Sequence, residues 1–426
     1  MIKIIDEPSL SRLQMHCESI AAGESVEKAV AEIIDNVRTR GDEALFEYSL
    51  RFDRVRPESI EISASEWDAA ASSVDKDFLE TLLIAHENIR TFHKLQLREG
   101  YEISPREGVK LGLRFAPIER VGIYVPGGTA AYPSTVLMNA VPAKLAGVSE
   151  IIMVTPPSPD GSVRKELLAA AKIAGVDRVF RVGGAQAVAA LAFGTESIPK
   201  VDKIVGPGNV YVAAAKRRVF GTVAIDMIAG PSEIAIVSDG KSNPRFIASD
   251  MLSQAEHDVL ASAVLITDSR ELANAVQIEI ERQLCSLPRE AIARKSIEDN
   301  GRIIIVGSIE KSFEIVNEMA PEHLEICTDN PEALLPLVRN AGSVFLGRFA
   351  PEALGDYIAG PNHTLPTNGT ARFSSPLSVD DFIKKSSYLS YTQEALQKVA
   401  GRIEEFARRE GLDAHARSAV IRFERD

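Results

Sequence analysis

The 426-residue chain has little cysteine: Cys17, Cys285 and Cys327, odd in number and far apart. No pair has metal or redox spacing, so the three read as reduced, buried or inert in a cytoplasmic protein. Basic charge is also scarce, with 48 Lys and Arg against 60 Asp and Glu, a net −12. Broad nucleic-acid or anionic-membrane surfaces need the opposite balance, so neither partner is expected. No uninterrupted apolar run approaches the roughly 20 residues that span a bilayer. The start, MIKIIDEPSL, lacks the basic-then-apolar pattern of a secretory leader. The protein is expected to be neither secreted nor membrane-embedded.

What is present is an ordinary globular composition, 45 % apolar and 25 % charged, long enough for two or three domains. Residues 1 to about 100 read mostly as helices. In SVEKAVAEIIDNVRTRG, Val26, Ala29, Val30, Ile33, Ile34 and Val37 form a helical stripe closed by Gly41. His86 and His93 share a face of a second helix, DFLETLLIAHENIRTFHKLQL, too far apart to chelate, and read as structural or solvent-facing.

From 121 to 227, the apolar runs VGIYV, EIIMVT, RVFRV, DKIVG and VAIDM alternate with helices near 134–147, 162–174, 185–193 and 209–219. The alternation repeats between 233 and 347 with EIAIVSD, SAVLITD, RIIIVG, LEICT and SVFLG. This predicts an α/β fold of two Rossmann-like, doubly wound units, suggestive of internal duplication, with helical N-terminal and C-terminal segments. The expected divisions are an N-terminal segment 1–20; a first α/β domain of 21–120 plus 233–375; a second, Rossmann-like domain 121–232; and a helical tail 376–426.

Three glycine-rich stretches, YVPGG (124–128), RVGGAQA (181–187) and VGPGNVY (205–211), follow strands, where open α/β sheets bind ligands. None is G-x-G-x-x-G, so by spacing they are equally tight turns. SDMLSQAEHDVL puts Gln254 and His257 at i and i+3 in a helical segment, without H-E-x-x-H. Spacing alone makes this a polar helix face more readily than a metal site. APEALGDYIAGPNHTLPT (350–367) reads as a loop carrying Asp356 and His363. REGLDAHARSAV reads as a solvated helix with Glu410 before a break at Gly411 and His415 beyond it. Four of the seven histidines, His257, His323, His363 and His415, fall in such polar stretches, hinting at one assembled site.

APEHLEI (320–326) sets Glu322 beside His323. Neighbours on a strand face opposite ways. Here Pro321 disfavours helix at Ala320, so the helix of SIEKSFEIVNEM should stop there and LEICT begin a strand. Both side chains then lie on a turn, where alternation lapses and two neighbours can enter one cleft.

In order along the chain, YVPGG, GGAQA, GPGN, IDMIAGPSEIAIVSD, ASDMLSQAEH, APEHLEI, GDYIAGPNH, TARFSSPLSVDDF and EGLDAHARS resemble the histidinol dehydrogenase family, over essentially the whole length. The resemblance implies a zinc- and NAD-dependent enzyme that oxidises L-histidinol through L-histidinal to L-histidine. It implies zinc at Gln254, His257, Asp356 and His415, and a catalytic acid/base pair in Glu322 and His323. It implies substrate contacts from Ser232, Glu410 and His363, alongside His323 and the zinc ligands. NAD is expected at Tyr124, Gln186 and Asn209, on the 121–232 domain. It also implies a homodimer with exchanged C-terminal tails, so that Glu410 and His415 come from the partner. The alternatives are a dehydrogenase of another small polar alcohol, a zinc hydrolase, and a non-enzymatic metal-binding or scaffold protein. Glu322 is expected to be ionised at neutral pH unless its surroundings perturb it. A helix-to-strand turn lies at the amino ends of parallel strands, opposite the usual crevice. Either LEICT runs against its neighbours, or the site lies between units or subunits; the interface is the expectation.

Overall fold

A computed structural model describes residues 1–6, 23–127 and 132–424. Its strands are β1 (Lys3–Asp6), β2 (Tyr101–Arg106), β3 (Val109–Pro117), β4 (Arg120–Tyr124), β5 (Glu150–Thr155), β6 (Arg178–Arg181), β7 (Lys203–Val205), β8 (Ala224–Ile225), β9 (Glu233–Ser238), β10 (Ser262–Thr267), β11 (Arg302–Ile305), β12 (His323–Cys327), β13 (Ser343–Leu346) and β14 (Ile383–Tyr391). Cys17 and Gly128 lie outside the described residues.

Two parallel sheets carry the first unit, Met1–Gln96 with Ile118–Phe382. One runs β6-β5-β4-β7-β8 and the other β1-β11-β10-β9-β12-β13. Numbering each set of five from its own first strand gives 3-2-1-4-5 in both, the order of the doubly wound fold. The shared order is what duplication of one five-strand unit would leave. β5 and β9 are buried along almost their whole length, as strands covered by helices on both faces must be. The helices between them end where expected, with Gly147 and Gly175 in left-handed conformation at φ 88° and 76°.

The domain boundaries differ from expectation. Helix Glu24–Arg40 buries Val30, Ile33, Ile34 and Val37. That face, worth about 1.5–3 kcal/mol per side chain, packs with Val188, Leu191 and Val212 of the five-stranded unit. Helix Lys76–Lys94 shares a core with Val136, Leu137 and Leu168 of the same unit. The apolar faces of residues 24–94 therefore join the core of 121–232, while Asn88 also reaches Ile358. β1 joins the six-stranded sheet in parallel beside β11.

Leu97–Pro117 and Ile383–Asp426 form a second compact unit. It contains the antiparallel sheet β14-β3-β2 and the helices Gln393–Arg409 and Asp413–Val420. The tail is thus not wholly helical. β14 is almost entirely exposed, so no buried face imprinted a pattern on IKKSSYLSY; its strand form rests on pairing with β3 from Ile383↔Pro117 to Tyr391↔Val109.

No helix among the described residues is long and apolar enough to cross a membrane. Cys285 is exposed, Cys327 is buried, and both are free.

Candidate active site

The helix Ile309–Met319 stops before Pro321, with Ala320 left-handed at φ 47°. Such a conformation is unfavourable for a residue with a Cβ, and here it is held by its neighbours. The Gly342 N–H donates to the Pro321 carbonyl at 2.9 Å, and the Ser343 N–H to that of Glu322 at 2.9 Å. β12 then runs parallel to both β9 and β13. The first alternative for LEICT is excluded, and Glu322 and His323 sit at the amino edge of the six-stranded sheet.

Both side chains grip one residue of β9. Glu322 Oε2 accepts the Glu233 N–H at 3.0 Å, and His323 Nδ1 lies 3.1 Å from the Glu233 carbonyl oxygen. Carbonyls only accept, so the imidazole proton is on Nδ1. Nε2 keeps its lone pair, is buried, and has no hydrogen-bond partner among the described residues. It faces Asp356 Oδ1 at 3.9 Å, while Glu322 Oε2 and Glu352 Oε1 lie 3.7 and 3.8 Å from Nδ1.

Burial dominates the electrostatics. It pushes the His323 imidazole down to about 4, against the opposing pull of Asp356 and the Glu233 carbonyl. It raises Glu322 well above the usual carboxylate range, so the expected simple carboxylate is instead a group inclined to hold its proton. Glu352 is raised by the same cause, with repulsion from Asp356, Glu322 and Glu325 added. Carboxyls that hold protons do little to charge the imidazole, so these directions agree.

Behind His323, β12 alternates as a strand should. Leu324 and Ile326 enter the apolar core, while Glu325 shares the His323 side. Glu325 Oε1 accepts the Glu352 N–H at 2.8 Å and so caps the short helix Glu352–Tyr357. That helix replaces the loop expected around Asp356. It also puts Glu352 and Asp356 at i and i+4, on one face.

His257 lies beyond the end of helix Pro244–Ala255, its N–H bonded to the Gln254 carbonyl, so the expected common helix face with Gln254 is not how they relate. Ligand atoms of His257, Glu352 and Asp356 lie within 4.8 Å of one another, a donor set that fits a divalent metal. The Gln254 amide abuts the Glu352 carboxylate. Both are satisfied only when the NH2 group faces Glu352, 2.6 Å from each oxygen, which frees the amide Oε1 to coordinate. Glu352 was not anticipated, although its i, i+4 spacing from Asp356 was visible in PEALGD.

His363 completes the cluster. Its Nδ1 donates to the Asp356 carbonyl at 3.1 Å, and burial lowers its basicity. The segment carrying it is tied down by Asn88 Nδ2 to the Ile358 carbonyl at 2.7 Å and by Asn362 Nδ2 to the Met138 carbonyl at 2.6 Å. Both partners belong to helices packed on the five-stranded sheet, so the cluster lies where the two α/β units meet. His93, fully buried with Nδ1 on the Ile89 carbonyl at 2.9 Å, is structural. A cavity of about 300 Å³ is lined by His323, Asp356 and His363 on its polar side and Val344, Phe345 and Leu365 on its apolar side. Ser232 immediately precedes Glu233. Glu410 and His415 are exposed on the second unit, after helix Gln393–Arg409 and within helix Asp413–Val420.

The described residues of the three glycine-rich stretches, 124–127, 181–187 and 205–211, lie at the carboxyl ends of β4, β6 and β7. The order reverses between β4 and β7, the switch point where doubly wound sheets hold nucleotides. The Gly184 N–H donates to the Tyr124 hydroxyl at 3.1 Å. Gln186 is buried, and its Oε1 has no hydrogen-bond partner among the described residues. Asn209 Oδ1 caps helix Val210–Val219, accepting from Tyr211 and Val212 N–H, so what it offers a ligand is its NH2 group. A Cβ on Gly206 would stand 2.1 Å from the Tyr124 carbonyl oxygen. An orphaned amide oxygen within glycine-lined turns fits a dinucleotide.

Comparison with known proteins agrees with this geometry. The histidinol dehydrogenase family model matches residues 18–423. The chain is 54 % identical to a histidinol dehydrogenase of Clostridium acetobutylicum, over 99 % of each chain. It is 57 % identical to one of Bacillus cereus, over 95 % of this chain and 94 % of the relative. The crystal structure of histidinol dehydrogenase from Elizabethkingia anophelis superposes with a TM-score of 0.93 at 39 % identity, covering 99 % of this chain and 98 % of that one. The chain therefore belongs to the histidinol dehydrogenase family and is an oxidoreductase.

Proposed function

We propose that the protein performs the last steps of histidine biosynthesis in the cytoplasm, oxidising L-histidinol to L-histidinal and then to L-histidine, with NAD and zinc. The observation that carries this reading is His323: a neutral imidazole whose proton is tied to Glu233 and whose free Nε2 faces the His257–Glu352–Asp356 cluster. NAD supplies the hydride acceptor, and zinc supplies a template orienting the substrate's imidazole and α-amine.

The chain's own residues do the rest. Gln254, His257 and Asp356 would hold the metal, joined by His415 from a partner's tail. Glu352 keeps the Gln254 amide oriented. His323 Nε2 takes the hydroxyl proton as the carbinol carbon loses hydride to NAD, releases that proton to solvent, and takes another from the hydrated aldehyde in the second oxidation. Glu322 manages the water that adds to the aldehyde, as a carboxyl that burial raises above its usual range and that lies beside His323. Ser232, His363 and the partner's Glu410 would contact the substrate, and Tyr124, Gln186 and Asn209 the dinucleotide. Exposed Phe406, Leu389 and Leu412 on the second unit support an assembly through that unit, a homodimer with exchanged tails.

The test is NADH formation from histidinol with and without a chelator. About two NADH per histidinol are expected, as two successive two-electron oxidations require, and chelation should abolish the signal. Zinc-loaded protein that forms no NADH would refute the reading.

A further inference from the structure

Lys216 and Asp226 form an ion pair with side chains only 3 % and 1 % exposed. Neither residue belongs to the site described above. Burying two charges costs more solvation than apolar residues of the same volume would lose, so attention falls on what the pair holds. It holds both polar groups of one glycine. Asp226 Oδ2 accepts the Gly206 N–H at 2.7 Å, and Lys216 Nζ donates to the Gly206 carbonyl at 2.9 Å as well as to Asp226 Oδ1. Asp226 Oδ1 also accepts the Met227 N–H at 2.6 Å.

Gly206 opens the GPGN turn with φ 109°, a conformation in which only glycine is at ease. That freedom leaves the turn's direction to its hydrogen bonds. Lys216 comes from the helix that Asn209 caps, and Asp226 follows β8 at the start of the link to Ser232 and β9. The pair therefore joins the nucleotide turn, the helix behind it, and the chain leading to the residue that Glu322 and His323 grip.

We propose that Lys216 and Asp226 are positioning residues that set the GPGN turn in register for the dinucleotide. The inference rests on the reading that this turn binds NAD. Because lone removal of either charge strands the other in the interior, the test uses paired substitutions. Lys216→Met/Asp226→Leu replaces the pair with apolar volume and leaves Gly206 unheld. Lys216→Met/Asp226→Asn keeps one acceptor oxygen for the Gly206 N–H, and removes the donor to its carbonyl together with the second oxygen that met the Met227 N–H.

NADH binding is followed by fluorescence titration, and the histidinol KM and the thermal transition are measured alongside. The apolar pair should melt at a lower temperature, because the Gly206 N–H and carbonyl lose their partners, and should bind NADH about 10- to 100-fold more weakly while still folded, as loss of the two hydrogen bonds to Gly206 predicts. The Met/Asn pair should bind about 3- to 10-fold more weakly, and neither should move the histidinol KM comparably. Wild-type NADH affinity in folded Met/Asn protein overturns the proposal, whether or not the apolar pair folds. Failure of the unaltered protein to bind NADH would instead refute the nucleotide reading.

Discussion

His323 Nδ1 stands 3.1 Å from the carbonyl oxygen of Glu233, and this one contact decides which nitrogen can do chemistry. With Nδ1 committed as donor, Nε2 is the nitrogen left to act as the proposed base, and burial pushes the ring's pKa down to about 4. His323→Gln keeps a neutral polar side chain at the position but offers no base. Turnover of histidinol and of histidinal should each fall by about 10²- to 10⁴-fold, the usual contribution of a general base, with the thermal transition little changed. Undiminished rates on both substrates would remove His323 from the mechanism.

Glu322→Gln keeps an acceptor for the Glu233 N–H, so the turn should survive. The expected defect is selective: histidinal oxidation slows by about 10²-fold or more, and oxidation of histidinol to the aldehyde is mildly affected. Feeding histidinal directly to the variant separates the two steps, and normal turnover of histidinal would exclude the water-activating role.

Glu352→Gln removes the carboxylate that holds the Gln254 NH2 group and so leaves its Oε1 for the proposed metal. Zinc affinity should fall by about 10- to 100-fold, the typical cost of losing a group that orients a ligand. Elemental analysis after dialysis against limiting zinc reads this without any assay of activity. Full metal occupancy in the variant would show that Gln254 needs no such partner.

The buried carboxyls make stability depend on pH. Burial raises Glu233 from 4.5 to about 7 and Asp250 from 3.8 to about 6. For raised groups, the stabilising contribution is full below the unfolded value and is lost as pH climbs through the folded one. His323 works the other way, its contribution full above 6.5 and lost as pH falls toward about 4. With the carboxyls more numerous, chelated protein should melt at progressively lower temperature from about pH 5 to about pH 8, and Glu233→Gln should flatten that decline. Scanning fluorimetry across the window checks it; a melting temperature that rises with pH contradicts the sign.

Tail exchange has its own test. His323→Gln and His415→Ala proteins are each expected to be nearly inactive. If the site draws His415 from the partner, heterodimers contain one intact site, and mixed or co-expressed variants should recover about a quarter of wild-type activity at random pairing. No recovery in a verified heterodimer would mean that each chain completes its own site.

The periodicity of apolar residues located the ten strands of the two Rossmann-like units and the helices between them, because burial on one or both faces writes itself into the local pattern. The same local rules ended the helix at Ala320, since Pro321 constrains its own neighbour, but they put His323 on the turn, whereas it is the first residue of β12, its register set by Ile234 and Ser343. They did not reveal β14, whose exposed faces carry no such pattern, nor that residues 24–94 pack on the five-stranded unit, since an apolar stripe does not name its partner. Glu352, Glu325 and Glu233 gained their roles only when β9, β12 and the helix at 352–357 came together, as did the contact between Lys216 and Asp226. The protonation preferences of Glu322 and His323 were equally beyond local reading. An isolated glutamate is a carboxylate and an isolated histidine half-charged near neutrality; here loss of water reverses both tendencies, and water is excluded by elements distant in the chain.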